Sequence, residues 1–581
     1  MFNYRPILRS WVEAALVVVA LCGYGRAAVA PADIVIVNAK IYTVNNKQPW
    51  AQAVAIRGNR IVFVGSDTKA RNLTGKSTKV VDAQKRLLLP GIADSHIHFM
   101  DGSLSLGRVN LEDAKNLEEI QRVLKEYVAA HPATNDHDAW VLGRGWSYPA
   151  FPDALPHKKY VDSIIPDRPA FFEGFDGHTY WANSKALQLA GITRDTPDPP
   201  NGHIVRDSSG EPTGALKEAA ADLVQRILPT ITREERLAAL RAGIAAANRA
   251  GLTRVHSCGG DFEYLDLYDE LRKNGQLTLR FYMGYFLNPP QLTPADIEKI
   301  EVARRRFPVT DTWISGGAVK MMLDGVVETH TAAMINPYAD DPSQTGKLFW
   351  EPEKYKQAVA ELDRRGFQLF THAIGERAVR LALDAYEEGA KRDARPRIEH
   401  IETITAQDIP RFGKLGVIAS FQPLHAYPDD DTLKVWLRNA GPEREPRSWA
   451  WQSVAKSGGQ MAFGSDWPVV TLNPWPGIQN AVTRQTREGQ PPGGWLPEQR
   501  LSVEQAVYGY TLGAAIGGRK EKDEGSIEVG KLADLILLSQ NIFEVDPHKI
   551  ADTQVILTVV DGKTVYDAAS TSTSNGAQSK P

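Results

Sequence analysis

Two cysteines in 581 residues, Cys22 and Cys258, are too few to staple a fold or to build a thiolate metal centre. Charge of one sign is lacking too: 67 Lys plus Arg stand against 70 Asp plus Glu, for a net charge of −3. A nucleic-acid binder concentrates basic charge, and a disordered chain joins high net charge to few apolar residues; at 43% apolar and 24% charged this chain does neither. No run reaches the about twenty apolar residues that cross a bilayer, so no membrane span is expected. What is left is a globular chain, with self-association as a homodimer left open. Any metal must rest on His, Asp, Glu or a less ordinary ligand.

The first thirty residues differ from the rest. Arg5 and Arg9 precede an apolar run at 14–22, and small residues follow in GRAAVAPA, the order of a secretory signal. Residues 1–32 are expected to be a signal peptide cut after Ala32, because a cut after Ala30 would leave Pro31 first. Cys22 leaves with it, unless it serves as a lipid-anchor cysteine, a role for which Leu21 is larger than the small residue such sites favour. Cys258 then has no intramolecular partner. An export signal on such a chain predicts a bacterial periplasmic or secreted protein.

Length alone allows about four domains. The segments DIVIVNAKIYTVNN and AVAIRGNRIVFVGS near the start, and GSIEVGKLADLILLS and VILTVVDGKTVYD near the end, are β-branched and punctuated by turn residues. They predict a small β-sandwich built from both chain ends, 33–88 and 523–568. Between them, helical stretches at 118–130, 234–250, 353–365 and 377–389 alternate with the short apolar runs TRVHS, FQLFTHA, RIEHI, GVIASFQ and MAFGSD. That rhythm predicts an α/β fold, a (β/α)8 TIM-like barrel over 89–522. An aromatic and proline-rich mouth insertion is expected at about 130–230, with Trp146, Tyr148, Phe151 and Tyr180 as either pocket lining or insertion core. The Ser/Thr-rich tail 569–581 is expected to be disordered.

The chemistry begins in LLLPGIADSHIHFM. On a strand, residues two apart share a face, so His96 and His98 can offer two imidazoles to one cation. H-x-H on its own is more often two unrelated loop histidines. Here it has company: His372 in FTHAIGE, His400 in RIEHIE and Asp466 in MAFGSDWPV all stand at the C-terminal ends of expected strands, where barrel enzymes assemble their sites.

These residues, with GRGWSYPAFP, RPAFFEGFDGHTYWANSKAL, GHIVRDSSGEPTGALKE, GGAVKMMLDG, ASFQPLH and FGSDWPVVTLNPWPGI, resemble the amidohydrolase superfamily, in particular its YtcJ-type, N-substituted formamide deformylase-like branch (amidohydrolase family 3). The likeness runs from about residue 33 to 567. One departure is Glu376, where the family more often carries Asp after HAIG. The resemblance implies a divalent metal, zinc by default, as one or two ions. It also brings in Lys320, expected to be carboxylated so that its carbamate bridges two metals; a lysine snorkelling from a strand end is the plain alternative. His96, His98 and Asp466 would then hold one metal, His372 and His400 the other.

The implied activity is metal-dependent hydrolysis of an amide-type C–N bond, outside peptides, in N-substituted formamides or N-acyl amines. Metal lowers the pKa of water from about 15.7 towards about 7 and polarises a carbonyl. Asp466 would move the proton to the leaving nitrogen. His178 and His425 could each contact substrate or an oxyanion, or make a structural hydrogen bond. An ester, lactone or carbamate hydrolase, or a deaminase, would use nearly the same ligands. A binding protein on a degenerate barrel would not need all six ligand positions filled, as they are.

Overall fold

Eight short runs that are largely buried on both faces pair side by side as parallel strands. In chain order they are β1 (Ile92–Ile97), β2 (Leu252–Cys258), β3 (Arg280–Phe286), β4 (Ile314–Met322), β5 (Gln368–Ala373), β6 (Arg397–His400), β7 (Ile418–Phe421) and β8 (Gln460–Phe463). Each neighbours the next in sequence, and every ladder is parallel. Helices such as Arg233–Ala250, Pro294–Arg306, Pro352–Arg364 and Glu376–Gly389 return the chain between strands. Capping boxes start the first two, Thr232 with Glu235 and Thr293 with Asp296. The apolar runs did not single out β3, and β4 entered only with Lys320 through the family resemblance.

The computed structural model describes residues 30–133, 140–152, 155–174, 179–200, 202–260, 262–287, 289–390 and 394–570. Nearly all of the expected signal segment, His178 and all but the first residues of the expected disordered tail lie outside the described residues. Ala32, the expected cleavage point, is buried in the packed β domain, its N–H bonded to the carbonyl of Leu73. Among the described residues no helix is long and apolar enough to cross a membrane.

The barrel seam lies between β1 and the chain just past β8. The N–H of Asp466 donates to the carbonyl of His96 (2.7 Å), and the N–H of His98 donates to the carbonyl of Trp467 (2.9 Å). Gly464 permits this approach: a Cβ there would sit 2.4 Å from the His96 nitrogen. The residues that close the barrel are thus the residues that carry its polar end.

Both chain ends build the β-sandwich. One sheet holds Ile34–Val37, Ala53–Arg57, Arg60–Gly65 and Lys79–Asp82; the other joins Lys40–Tyr42, Trp50–Ala51 and Leu87–Pro90 to Leu535–Leu538, Val555–Val560 and Lys563–Asp567, with Leu87–Pro90 paired to Leu535–Leu538. Period-two alternation splits the second sheet between two cores. Leu88, Leu535 and Leu537 face the sandwich interior, whereas Leu87, Leu89, Ile536 and Leu538 join the barrel core. Buried ion pairs fasten the same junction: Arg254 to Glu524 (2.5 Å) and Arg280 to Asp534 (2.7 Å).

Between β1 and the helix Arg233–Ala250 the chain forms a six-stranded sheet of its own. It draws in Val109–Asn110, so this module begins before residue 130, where the insertion was expected to start. Its aromatics settle one alternative. Trp146 and Phe151 are buried in the module's core, and Tyr180 stacks on Phe171 in a second cluster, 5.2 Å between centroids. These three are packing residues rather than pocket walls, while Tyr148 is half-buried with its hydroxyl 2.8 Å from that of Thr179. Arg144 reaches from the module to the barrel, donating to the carbonyl of Pro468 at 2.7 Å.

Candidate metal centre

β1 carries His96 near its end, His98 follows it directly, β4 carries Lys320, β5 carries His372, β6 ends in His400, and the turn after β8 supplies Asp466. The fold brings all of them, with His425 from the short helix Pro423–Ala426 after β7, to one end of the barrel. Asp466 is the hub. Its Oδ1 lies 3.2 Å from His98 Nε2 and 3.4 Å from His96 Nε2. Its Oδ2 lies 3.6 Å from His425 Nε2 and 4.0 Å from His400 Nδ1. The His372 ring stands 4.5 Å from that of His400, and its Nε2 faces the carbonyl of Gly325 at 3.2 Å, which leaves Nδ1 for a ligand. His98 alone among the first set is open to solvent, its side chain 32% exposed.

Two of these residues sit on backbone that L-residues rarely adopt: φ is +74° at His400 and +62° at Asp466. Such strain persists only where the surroundings over-determine it, and it clusters at functional sites.

The donor set suits a divalent cation. Asp466 Oδ1, His400 Nδ1 and His425 Nε2 are buried without a hydrogen-bond partner, a costly state for polar atoms unless something else satisfies them. Burial, with the nearby Lys320 charge second, holds His96 down to about 4 and His372 down to about 3. Both are therefore neutral at pH 7, as ligands must be. Burial opposes ionisation of Asp466, yet His96, His98 and His400 hold its carboxyl well below the usual range.

Lys320 is 2% exposed, and its Nζ lies 3.3 Å from His96 Nε2. Among the described residues that ring nitrogen is the amine's hydrogen-bond partner, and no carboxylate pairs with it. A buried ammonium aimed at a metal-binding imidazole is unfavourable for both.

Residues that the motifs did not pick out orient this cluster. His96 Nδ1 meets Glu399 Oε2 at 2.6 Å, which directs Nε2 towards the centre. Glu399 in turn accepts from Arg397 at 2.9 and 3.0 Å. Arg397 also donates to His256 Nδ1 and stacks on Phe370. Asp324 accepts the backbone N–H groups of Ala333, Ile374 and Gly375, pinning the loops after β4 and β5. The atypical Glu376 grips Arg444 with both carboxylate oxygens (2.9 and 3.1 Å), so its extra methylene serves a buried ion pair rather than the metal cluster. The only signal in sequence for Glu399 and Arg397 was their alternation with His400 in RIEH.

A third grouping, His96, Cys258 and Glu399, also has its donor atoms within 4.8 Å of one another. It offers no good site: Glu399 is committed to Arg397, and burial pushes the Cys258 thiol up to about 12, away from thiolate.

Comparison with known proteins places the chain in a family. The amidohydrolase family model matches residues 79–566. Three relatives align over nearly the whole chain. Protein LONG AFTER FAR-RED 3 of Arabidopsis thaliana is 32% identical, covering 92% of each chain. The putative amidohydrolase YtcJ of Bacillus subtilis is 29% identical over 91% of this chain and 98% of its own. The N-substituted formamide deformylase of Arthrobacter pascens is 26% identical over 92% and 98%. The solved structure of an uncharacterized metal-dependent hydrolase from Pyrococcus horikoshii OT3 superposes with a TM-score of 0.71 at 24% identity, covering 88% of this chain and 99% of that one. The chain belongs to the amidohydrolase family.

Proposed function

We propose that this protein hydrolyses an amide-type C–N bond in a small N-acyl amine, of which an N-substituted formamide is the leading example, at a metal centre formed by His96, His98, Lys320, His372, His400 and Asp466. The observation that carries the reading is the convergence of four imidazoles on one buried carboxylate whose Oδ1 is left without a hydrogen-bond partner. The likeness to an N-substituted formamide deformylase supports the substrate class.

Bound zinc or a similar divalent ion would supply an acidified water and a polarised carbonyl. The chain supplies the rest. Asp466, ionised and held among imidazoles, accepts a proton at Oδ1 or Oδ2 and returns it to the leaving nitrogen. Glu399 keeps the proton of His96 on Nδ1, so that Nε2 presents its lone pair. Carboxylation of Lys320 would turn a buried cation into an anion that suits the imidazole set. From the sequence alone, His178 is assigned to substrate contact. The signal-like start supports export to the periplasm or beyond.

Metal analysis of the purified protein, followed by formanilides, N-acyl amines, esters and lactones as substrates, tests the reading. Amide turnover that depends on metal is expected. Turnover of esters without any amide would overturn the bond class, and a protein that binds no metal would overturn the enzyme.

A further inference from the structure

We infer that His425 is a metal ligand: with His400 and the second oxygen of Asp466 it forms a cation position next to the one formed by His96, His98 and the first oxygen. The inference rests on the metal reading above and extends it. The family likeness put the second ion on His372 and His400; the geometry adds a histidine from the β7 end and turns Asp466 into a bridging carboxylate.

Distances make the case. Two ligand atoms, each about 2.0–2.1 Å from a tetrahedral cation, stand about 3.4 Å from each other. His96 Nε2 and His98 Nε2 lie 3.4 and 3.2 Å from Asp466 Oδ1. On the other side, His425 Nε2 and His400 Nδ1 lie 3.6 and 4.0 Å from Oδ2. Those two separations are too long for hydrogen bonds. They are close to the spacing of atoms that share a cation, and the three donors of this set lie within 4.8 Å of one another. The carboxylate therefore divides its oxygens, one to each pair of imidazoles.

Unsatisfied atoms point the same way. His400 Nδ1 and His425 Nε2 are both buried without a hydrogen-bond partner, and both face Asp466. The two rings are parallel to within 6°, with centroids 5.8 Å apart. Behind His425, Glu402 Oε1 stands 3.9 Å from Nδ1, and Glu402 is itself held by the Trp436 indole N–H at 2.7 Å. At 3.9 Å Glu402 and the ring make no hydrogen bond, and burial pushes the Glu402 carboxyl well above its usual range, so this side of the ring adds nothing to the case. A histidine that only touched substrate would not need the spacing to Asp466.

Wild type, His425→Ala and His425→Gln are loaded with zinc or cobalt, and metal per chain is measured by mass spectrometry alongside the cobalt visible spectrum. The inference expects two ions in wild type. It expects one in each variant, or a second ion bound more weakly by more than the about 10–100-fold that loss of an outer partner costs, with an altered cobalt spectrum. Variants that match wild type in stoichiometry, affinity and spectrum overturn it, as does a wild type that binds a single ion. A wild type that binds no ion removes the metal reading itself. The glutamine variant keeps side-chain volume and answers the question should the alanine variant fail to fold.

Discussion

At the N-terminal end of the barrel strands, Arg254 and Arg280 are fully buried, and each meets a carboxylate from the last part of the chain through two nitrogens. At the C-terminal end, the buried His400 and His425 imidazoles stand beyond hydrogen-bond reach of Asp466, with orphaned atoms facing inwards. One end spends its charges on itself and fastens the barrel to the sandwich. The other withholds them, and that shortfall is what a cation would fill. The same barrel thus separates stability from chemistry by its two faces.

That contrast can be broken at either end. The largest effect is expected from Asp466→Asn at the C-terminal end: loss of the proton-carrying carboxylate should lower kcat by about 10²–10⁴-fold while the fold persists, read by steady-state assay and thermal melting together. Activity within about threefold of wild type would place the chemistry elsewhere. At the other end, Asp534→Ala leaves the buried Arg280 guanidinium with Asp561 and the carbonyl of Thr312. Denaturant unfolding should show a loss of about 3–5 kcal/mol, with activity per folded molecule unchanged; a small stability change, or a selective loss of activity, would blur the distinction between the two ends.

Glu399→Gln tests the layer beneath the metal centre. Its carboxamide can still meet His96, but it no longer balances Arg397, and metal affinity should weaken by about 10–100-fold, measured by competition with a chelator. Unchanged affinity would make Glu399 a packing residue only.

The smallest effect is electrostatic. His96 and His372 are held to about 4 and about 3 in the folded chain, against about 6.5 when unfolded. Above about pH 6.5 both states carry neutral rings and the groups contribute nothing to pH dependence. Below it the unfolded chain takes up protons that the folded one refuses, so stability of the metal-free protein should fall with acidification until the folded rings titrate. Unfolding midpoints that stay level between roughly pH 7 and pH 5 would argue that these imidazoles are not buried as described.

Much of this was legible in sequence. Strand-end placement of His372, His400 and Asp466 and the doublet His96–His98 depend on local pattern, and the structure places them together. The split sandwich also followed from two β-rich ends. β3, RFYMGYF, escaped notice because it ends in no polar strand-end residue. Trp146, Phe151 and Tyr180 could be read as pocket or core because composition does not say which side of a sheet faces a cavity. Glu399 was invisible as a site residue because its partner His96 lies 303 positions away. No period in the chain encodes that distance, only the closing of the barrel.

The central claim is that Asp466 and the surrounding histidines form a metal centre that cleaves an amide C–N bond. Its most direct test is formate release from a formanilide by the chelated protein as zinc is titrated back. The account predicts no release without metal and a rise that tracks bound zinc to saturation. Release that continues at the full rate after metal removal would contradict it.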